Sequence, residues 1–560
     1  MRNAGPYARL KFAMDYWCAL WFWPIDKADM LPSRSEFLND LNLILVGTIS
    51  TGKGQAKIGY DQLSLFDEEN EELQLIHKIN QIQGDDKSEV DLDSLCMLFS
   101  RFELVRTIAN QNKFMHWELE FADLFAERGG FDLVIGNPPW VKASWNEVDI
   151  LAEFLPYIEV KGLSANDIGK IRSDILDTVF KTKSYISEYV FASGQQCFLG
   201  SSCYYPELGK MSINLYKNFI PIGWSIAHRN GMTAFVHPDS VYDDPKGTVL
   251  REAIYKRLVH HFHFRNENKI FPIHNTRSFS VNIYKNGKVG IGFDSISNLF
   301  SVGTVDACYE NEKYSEDIGI KDAFGNWNTF GNNDRILKIT IDELKLFAGL
   351  FDGNDKYKSA RLPVLQCKAL LSVLKKMNSI KVSVKDIPGE IVSSEMWNER
   401  GAQGDGTIEK RTCFPNKIDD LILSGSHIGL ANAFAKTPRR VCTSNKAFDE
   451  INTFIKKENY LPRTNYIISC DKQEYVERMV KNSKGIRHDA FYRLATRKMV
   501  DPLTERTLIA AIIPPYVGHI NGLISTSFSK EEDLVNVASL FVSLPYDFFN
   551  QSNWQNKFIF

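Results

Sequence analysis

The sequence has no paired cysteines. Its nine (Cys18, Cys96, Cys197, Cys203, Cys308, Cys367, Cys413, Cys442 and Cys470) stand singly, no two are two residues apart, and the number is odd. That favours reduced thiols over a disulfide framework or a zinc site. A long apolar run is also missing. The most apolar N-terminal stretch, Tyr16 to Ile25, is ten residues long and follows Lys11 and Asp15. It is too short to span a bilayer, and no cleavable signal pattern surrounds it, so a cytoplasmic location is expected. There is no internal repeat and no low-complexity tract. With 44% hydrophobic and 24% charged residues, the composition excludes a wholly disordered or collagen-like chain.

What is present is a 560-residue chain, long enough for several domains with substantial cores. The net charge of -3 is unevenly spread: residues 355–560 carry 30 Lys+Arg against 22 Asp+Glu, leaving 36 against 47 for residues 1–354. A basic last part suggests a polyanion as partner. Residues 8–24 and 88–112 have helical spacing, the second with Leu95, Leu98, Phe102, Leu104 and Val105 on one face. The acidic stretch Asp67–Glu72 between them reads as a solvated helix start or loop. Phe131-Asp132-Leu133-Val134-Ile135, stopped by Gly136 and two prolines, reads as a buried strand of a parallel sheet. Residues 141–205 look helical. A helix carrying Leu215, Tyr216 and Phe219 then leads through Gly231 to a strand at Met232–His237, a helix at Thr248–Leu258, and strands near Val259–Phe264 and Phe279–Tyr284. This alternation makes the class α/β. From about residue 380 the texture changes to short strands, loops and basic clusters, a separate domain.

Gly136-Asn137-Pro138-Pro139-Trp140 lies at the carboxyl end of a strand, where doubly wound sheets place their ligands. Two prolines fix the backbone and remove two N–H donors, leaving carbonyls free as acceptors. The Asn137 side chain adds an acceptor and Trp140 a flat face, which together suit a planar group bearing an NH2. Accepting both amino hydrogens turns the nitrogen lone pair out of conjugation and makes it nucleophilic. Taken alone, these residues serve equally well merely to end a strand.

Phe131–Trp140 resembles the catalytic motif of amino-group DNA methyltransferases, a hydrophobic strand entering Asn/Asp-Pro-Pro-aromatic. His116-Trp117-Glu118-Leu119-Glu120-Phe121 with Gly129-Gly130 is similar to the lead-in of type IIG-like restriction–modification adenine methyltransferases. Leu215-Tyr216 with Phe219, and Asn230-Gly231 before Phe235-Val236-His237-Pro238, resemble the helix and fifth strand of the gamma-class domain. Phe271-Pro272 ahead of Phe279–Tyr284 resembles the motif whose aromatic packs on the flipped adenine. In the basic part, Trp397-Asn398-Glu399, Gln403–Thr407, Leu423-Ser424-Gly425, Tyr492-Arg493 and Glu505–Pro515 look like target-recognition regions of large phage-defence methyltransferases, including the DISARM type.

The resemblance implies a partial Rossmann-like methyltransferase sheet with helical insertions, plus a mixed α+β target-recognition domain. The expected layout is a helical segment at 1–125, a catalytic region at 126–290 with its insertion at 141–205, a connection at 291–380, and target recognition at 381–560. It implies adenine-N6 methylation of double-stranded DNA, with Asn137 and Pro138 orienting the amine beside Pro139. Trp140 and Phe271 would sandwich the base. Residues 426–510 hold 16 Lys+Arg against 9 Asp+Glu. Among them Lys436, Arg439, Arg440, Arg487, Arg493, Arg497 and Lys498 are the candidate phosphate contacts.

One departure stands out. The family holds S-adenosylmethionine with a Phe-x-Gly-x-Gly turn and a later acidic residue, both ahead of the catalytic motif in the gamma class. Residues 1–130 contain no such turn, and Thr51-Gly52-Lys53-Gly54 has no apolar strand feeding a helix. An upstream methyltransferase half or segment is therefore expected as partner. The alternatives are a DNA-specificity subunit without activity, or a methyltransferase acting on RNA or on a protein glutamine. His260-His261-His263 would alternate across a strand with no carboxylate or cysteine at ligand spacing, so no metal is expected. Gln62-Leu63-Ser64-Leu65-Phe66 resembles the peptide that docks bacterial proteins on the replication sliding clamp, although the apolar edge of a helical insertion explains it more simply.

Overall fold

The computed structural model describes residues 5–46, 50–51, 54–55, 92–288, 290–310, 319–322, 324–380, 383–444, 446–452, 460–499 and 506–552. The sliding-clamp-like Gln62–Phe66 and the acidic Asp67–Glu72 lie outside the described residues. The chain divides into two compact units, Met1–Ala348 with Asn354–Leu362, and Gly349–Gly353 with Pro363–Phe560.

The first unit opens with helices α1 (Pro6–Ala19), α2 (Arg34–Val46), α3 (Leu92–Leu98) and α4 (Ser100–Asn112). Pro6 begins α1, where a missing N–H costs no hydrogen bond. Phe12, Tyr16 and Ala19 of α1 form one core with Leu43, Ile44, Phe102, Val105 and Ile108. Both expected helices are shorter than their periodicity. The first passes at Ala19 into a single 3-10 turn, Leu20–Phe22, ahead of Pro24. The second is broken at Phe99, whose extended backbone (φ -119°, ψ 107°) brings its ring edge-on to Phe102. Ser50–Thr51 pairs antiparallel with Gly54–Gln55, so Thr51 and Gly54 belong to a two-residue ladder, not to a strand-to-helix turn.

A six-stranded sheet organises the rest of this unit: β1 (Phe131–Gly136), β2 (Ala227–Pro238), β3 (Leu258–Arg265), β4 (Ser278–Lys285), β5 (Gly292–Leu299) and β6 (Leu337–Thr340). The spatial order is β1-β2-β4-β3-β5-β6. β1 runs parallel to β2 and β3 parallel to β5, while β4 is antiparallel to both its neighbours. The sheet is thus mixed, and β1 is an edge strand, not the buried one its apolar run suggests. Its far side has no strand partner among the described residues, and Leu133 and Ile135 are 54% and 74% exposed. An apolar run specifies a surface that can be covered; it does not name the cover.

Two glycines let the layers close. A Cβ on Gly130 (φ +130°) would stand 2.5 Å from the Ile226 carbonyl oxygen, and one on Gly223 would stand 2.6 Å from the Phe235 ring. Gly223 lies on helix α6 (Leu215–Ile226), which follows the long helix α5 (Val179–Leu199) of the mostly helical stretch 141–205. One face of the sheet is apolar, with Phe264, Phe279, Ile296 and Leu299 in a core that also holds Cys308 and Ile336. Burying one such side chain contributes roughly 1.5–3 kcal/mol. On the other face, register aligns Phe235, Asn282, His261 and Ser295 in one row, and His237, Ser280 and His263 in the next. This polar face is buried too.

The second unit is a mixed α+β body. Strands β7 (Ile391–Ser394), β8 (Arg493–Arg497), β9 (Ala510–Ile513) and β10 (Leu523–Phe528) form an antiparallel sheet in the order β9-β8-β10-β7. The helix Glu531–Phe541 covers it with Leu534, Val537, Ala538 and Phe541. Ile408–Cys413 pairs separately with Thr464–Ile468.

Candidate active site and nucleic-acid interface

The chain leaves β1 at Gly136 and runs without regular structure from 137 to 146. The last β1–β2 pair is Gly136 with Phe235, so Val236–Pro238 continues beside the turn. Asn137 is exposed, Pro138 buried, Pro139 exposed and Trp140 half-buried. Two contacts fix the segment after the prolines: the Trp140 indole N–H donates to the Val236 carbonyl at 3.3 Å, and the Leu215 N–H donates to the Val141 carbonyl at 2.9 Å. Asn137 therefore projects from a turn anchored on β2 and on the start of α6. The lead-in residues pack behind it, with the Trp117, Phe121 and Phe125 rings 6.1, 5.1 and 6.0 Å from that of Phe131. His116 is buried against Asp15 at 2.8 Å.

Phe271 sits on the loop between β3 and β4, and the fold brings it to Trp140. The two rings meet edge to face, centroids 5.9 Å apart and planes 65° apart. Both also touch Phe279, at 6.0 Å from Trp140 and 4.8 Å from Phe271. The expected pair is together, but as a closed contact and not as two parallel plates. Asn266, which sequence reading missed, holds this loop. Its Oδ1 accepts from the Phe271 N–H at 2.9 Å, while its Nδ2 donates to the Phe271 and Ile273 carbonyls at 3.0 and 2.9 Å.

Asp239, directly after β2, was also missed. Its Oδ1 faces His261 Nε2 at 2.8 Å, and His263 Nε2 lies 3.9 Å from its other oxygen. Burial pushes its pKa up, but the His263 and His261 rings outweigh burial and hold it below the usual carboxylate range. His237 bonds Tyr284 at 2.9 Å under the stacked ring of Tyr216, and burial lowers its pKa to about 4. The signal for this cluster was the run of polar residues at every second position of β3 and β4. His260 points the other way, to Tyr309 at 3.2 Å. Among the described residues, no three His, Cys, Asp or Glu side chains group as metal ligands. Nor does any glycine-rich turn there join a strand to a helix ahead of β1, so these residues do not fit a cradle for S-adenosylmethionine.

The seven basic candidates separate clearly. Arg493 is corrected: it is fully buried, with Nη2 donating to the Val517 carbonyl at 2.5 Å, Nε to the Phe491 carbonyl at 3.3 Å and Nη1 reaching Met396 Sδ at 3.2 Å. Its place on the central strand β8 forces it inward. Arg497 is half-buried, and its guanidinium donates to the Ile428 carbonyl. Lys436, Arg439 and Lys498 pair with the surface carboxylates Glu450, Asp449 and Glu395 at 3.4, 2.9 and 2.6 Å. Arg440 is exposed. Arg487 makes a two-point pair with Asp489. Trp397 and Glu399 serve the core, bonding Tyr475 at 2.9 Å and Tyr466 at 2.5 Å.

No helix among the described residues is long and apolar enough to cross a membrane. No curated protein matches the chain. Among solved structures, the type IIG restriction endonuclease BpuSI aligns at 11% identity and TM-score 0.25, covering 74% of this chain and 43% of its own. The EcoKI M protein of a type I restriction enzyme aligns at 13% identity and TM-score 0.21, covering 67% and 90%. The DrdV–DNA complex aligns at 16% identity and TM-score 0.19, covering 32% and 16%. The chain thus spans less than half the length of the BpuSI and DrdV chains. Residues 17–168, which run from α1 through β1 and the Asn137–Trp140 turn, match the Eco57I restriction-modification methylase family.

Proposed function

We propose that the chain is the catalytic-turn and target-recognition portion of an adenine-N6 DNA methyltransferase from a restriction or phage-defence system. The observation that carries this reading is the Asn137-Pro138-Pro139-Trp140 turn at the carboxyl end of β1, inside the region matching the restriction-modification methylase family. In this reading the Asn137 side chain and the Pro138 carbonyl accept the two amino hydrogens of an extruded adenine. The amine lone pair is thereby released from the ring, and Trp140 and Phe271 flank the base. Catalysis then comes from holding the amine in an attacking geometry.

The methyl donor in this reading is S-adenosylmethionine. Because the described residues do not form its cradle, we assign that role to an upstream half or segment. Among the described residues the outer edge of β1 has no strand partner, and Leu133 and Ile135 stand exposed on one face of it. A further strand pairing with that edge and a layer over that face would supply what is missing.

The test is made in the producing cell, by sequencing that detects N6-methyladenine in the genome. We expect one methylated motif in the wild type and at least a hundredfold loss of it in Asn137→Ala, the scale of removing one group that stabilises a transition state. An unchanged methylation map in that variant would discard the assignment.

A further inference from the structure

We propose that Arg487 is a base-reading arginine, presenting a rigid fork to guanine in the major groove, and not one more phosphate contact. The inference rests on the DNA-recognition reading above and deepens it. Its Nε and Nη2 donate to Asp489 Oδ1 and Oδ2, both at 2.8 Å. Asp489 is 1% exposed, so its carboxylate cannot follow the arginine into solvent. This separates Arg487 from Lys436, Arg439 and Lys498, whose partners are surface carboxylates. Such pairs are worth about 0–1 kcal/mol and exchange readily for a phosphate.

A guanidinium has five N–H groups, and Asp489 engages two of them. The two on Nη1 and the second on Nη2 remain, coplanar and held in direction, on a side chain that is 29% exposed. That edge matches the O6 and N7 acceptors of guanine. One side of the guanidinium is fixed by Tyr516, whose ring centroid lies 5.6 Å away. Tyr516 is itself unusual. It has φ +67°, a left-handed conformation that costs a non-glycine residue energy, and its N–H donates to the Asp489 carbonyl at 2.6 Å. Such conformations persist where surrounding contacts enforce them and cluster at binding sites. Arg487, Asp489 and Tyr516 also line a cavity of about 170 Å³ floored by Tyr475 and Met479.

Asp419, paired with Lys472 at 3.6 Å, lines the same cavity, and the hairpin beside the fork carries Lys481 and Lys484 and is held in place. Lys481 bridges across to Arg487, closing a turn from Asn482 to Gly485 that exposes Lys484. Ser483 ties the turn down, its N–H and hydroxyl donating to the two Glu390 oxygens at 2.7 Å each. A fixed basic hairpin supplies register on the backbone, and the fork at its foot reads the base.

The experiment takes the protein as purified from its producing cell and selects bound sequences from a randomised duplex library at fixed salt. Wild type, Arg487→Lys and Asp489→Asn are compared, with near-ultraviolet circular dichroism checking that each is folded. Arg487→Lys keeps the charge but loses the planar fork. We expect it to bind a scrambled duplex within about twofold of wild type while losing preference for guanine at one position by about tenfold or more. Asp489→Asn, which frees the arginine, is expected to relax the same position only. The proposal is overturned if Arg487→Lys keeps every base preference. It is equally overturned if Arg487→Lys weakens all sequences alike, or if both variants act only by unfolding the protein. Failure of the wild type to bind any duplex at low salt would instead remove the DNA-recognition reading itself.

Discussion

The Trp140 and Phe271 rings meet edge to face at 5.9 Å, although 131 positions in the sequence separate them. A purine cannot enter between rings in this contact, so capture of a base requires one of them to move. Both residues are tied down, Trp140 by its indole N–H on β2 and the Phe271 backbone by Asn266, so the movement is a side-chain rotation of one ring.

Replacing either ring by alanine is expected to weaken capture of the extruded base by about 1–3 kcal/mol, the usual contribution of base–aromatic stacking. A 2-aminopurine at the target position brightens on leaving the duplex stack and reports capture directly. Wild-type brightness in both variants would dismiss the sandwich.

Asn266 makes a separable prediction. It is fully buried and bonds three backbone groups of the 271–273 loop. Asn266→Ala leaves those groups unpaired, which costs about 1–3 kcal/mol for each that water cannot reach. The first unit should unfold at lower urea concentration in this variant. The 2-aminopurine signal should fall with it, since Phe271 loses its anchor. Asn266→Asp keeps an acceptor for the Phe271 N–H but sets a buried carboxylate against the Phe271 and Ile273 carbonyls, and should be at least as destabilised as Asn266→Ala. Equal urea midpoints for all three proteins would show that the loop is held by something else.

The turn at Asn137 and the α/β alternation were legible because both are local: two prolines and a strand-ending glycine act on their neighbours in sequence. The edge position of β1 was not legible, because an apolar run reads the same whether or not a second strand covers it. Arg493 was misread for a related reason. Charge counting treats every arginine as surface, yet β8 is buried at successive positions on both faces, and carbonyls and a thioether surround Arg493. Asp239 was missed because its partners His261 and His263 come from another strand, and Asn266 because a loop asparagine five and seven residues from its partners has no periodicity to mark it.

Cofactor binding offers a third prediction. The described residues supply no glycine turn joining a strand to a helix ahead of β1, the element that would hold a nucleotide-like ligand. The purified chain alone should therefore show no micromolar affinity for S-adenosylmethionine by calorimetry. A clear micromolar isotherm would mean that residues of this chain form the cradle after all, and would remove the reason for proposing an upstream half.

The last prediction concerns acid. In the second unit, His488 Nε2 and His519 Nε2 both reach Ser525 Oγ, at 2.9 and 2.7 Å, and Arg493 Nη1 approaches the same oxygen at 3.5 Å. Burial, reinforced by the Arg493 charge, pushes the pKa of His519 down to about 3 and that of His488 to about 4. Both pKa values are depressed from an ordinary 6.5, so above that pH neither the folded nor the unfolded protein holds these protons and the full stability is present. As the pH falls from 6.5 towards 4, the unfolded chain takes up protons that the folded one refuses. Each unit then removes up to about 1.4 kcal/mol per histidine. The urea midpoint of the second unit should therefore drop steeply over that window. His519→Asn, which removes one titrating ring, should be less stable than wild type at pH 7.5 yet lose stability more slowly between pH 6.5 and 4.5. Its slope against pH is the decisive quantity, because a merely structural loss would lower the midpoint by the same amount at every pH. Parallel curves for the two proteins would show that His519 is not the group that titrates.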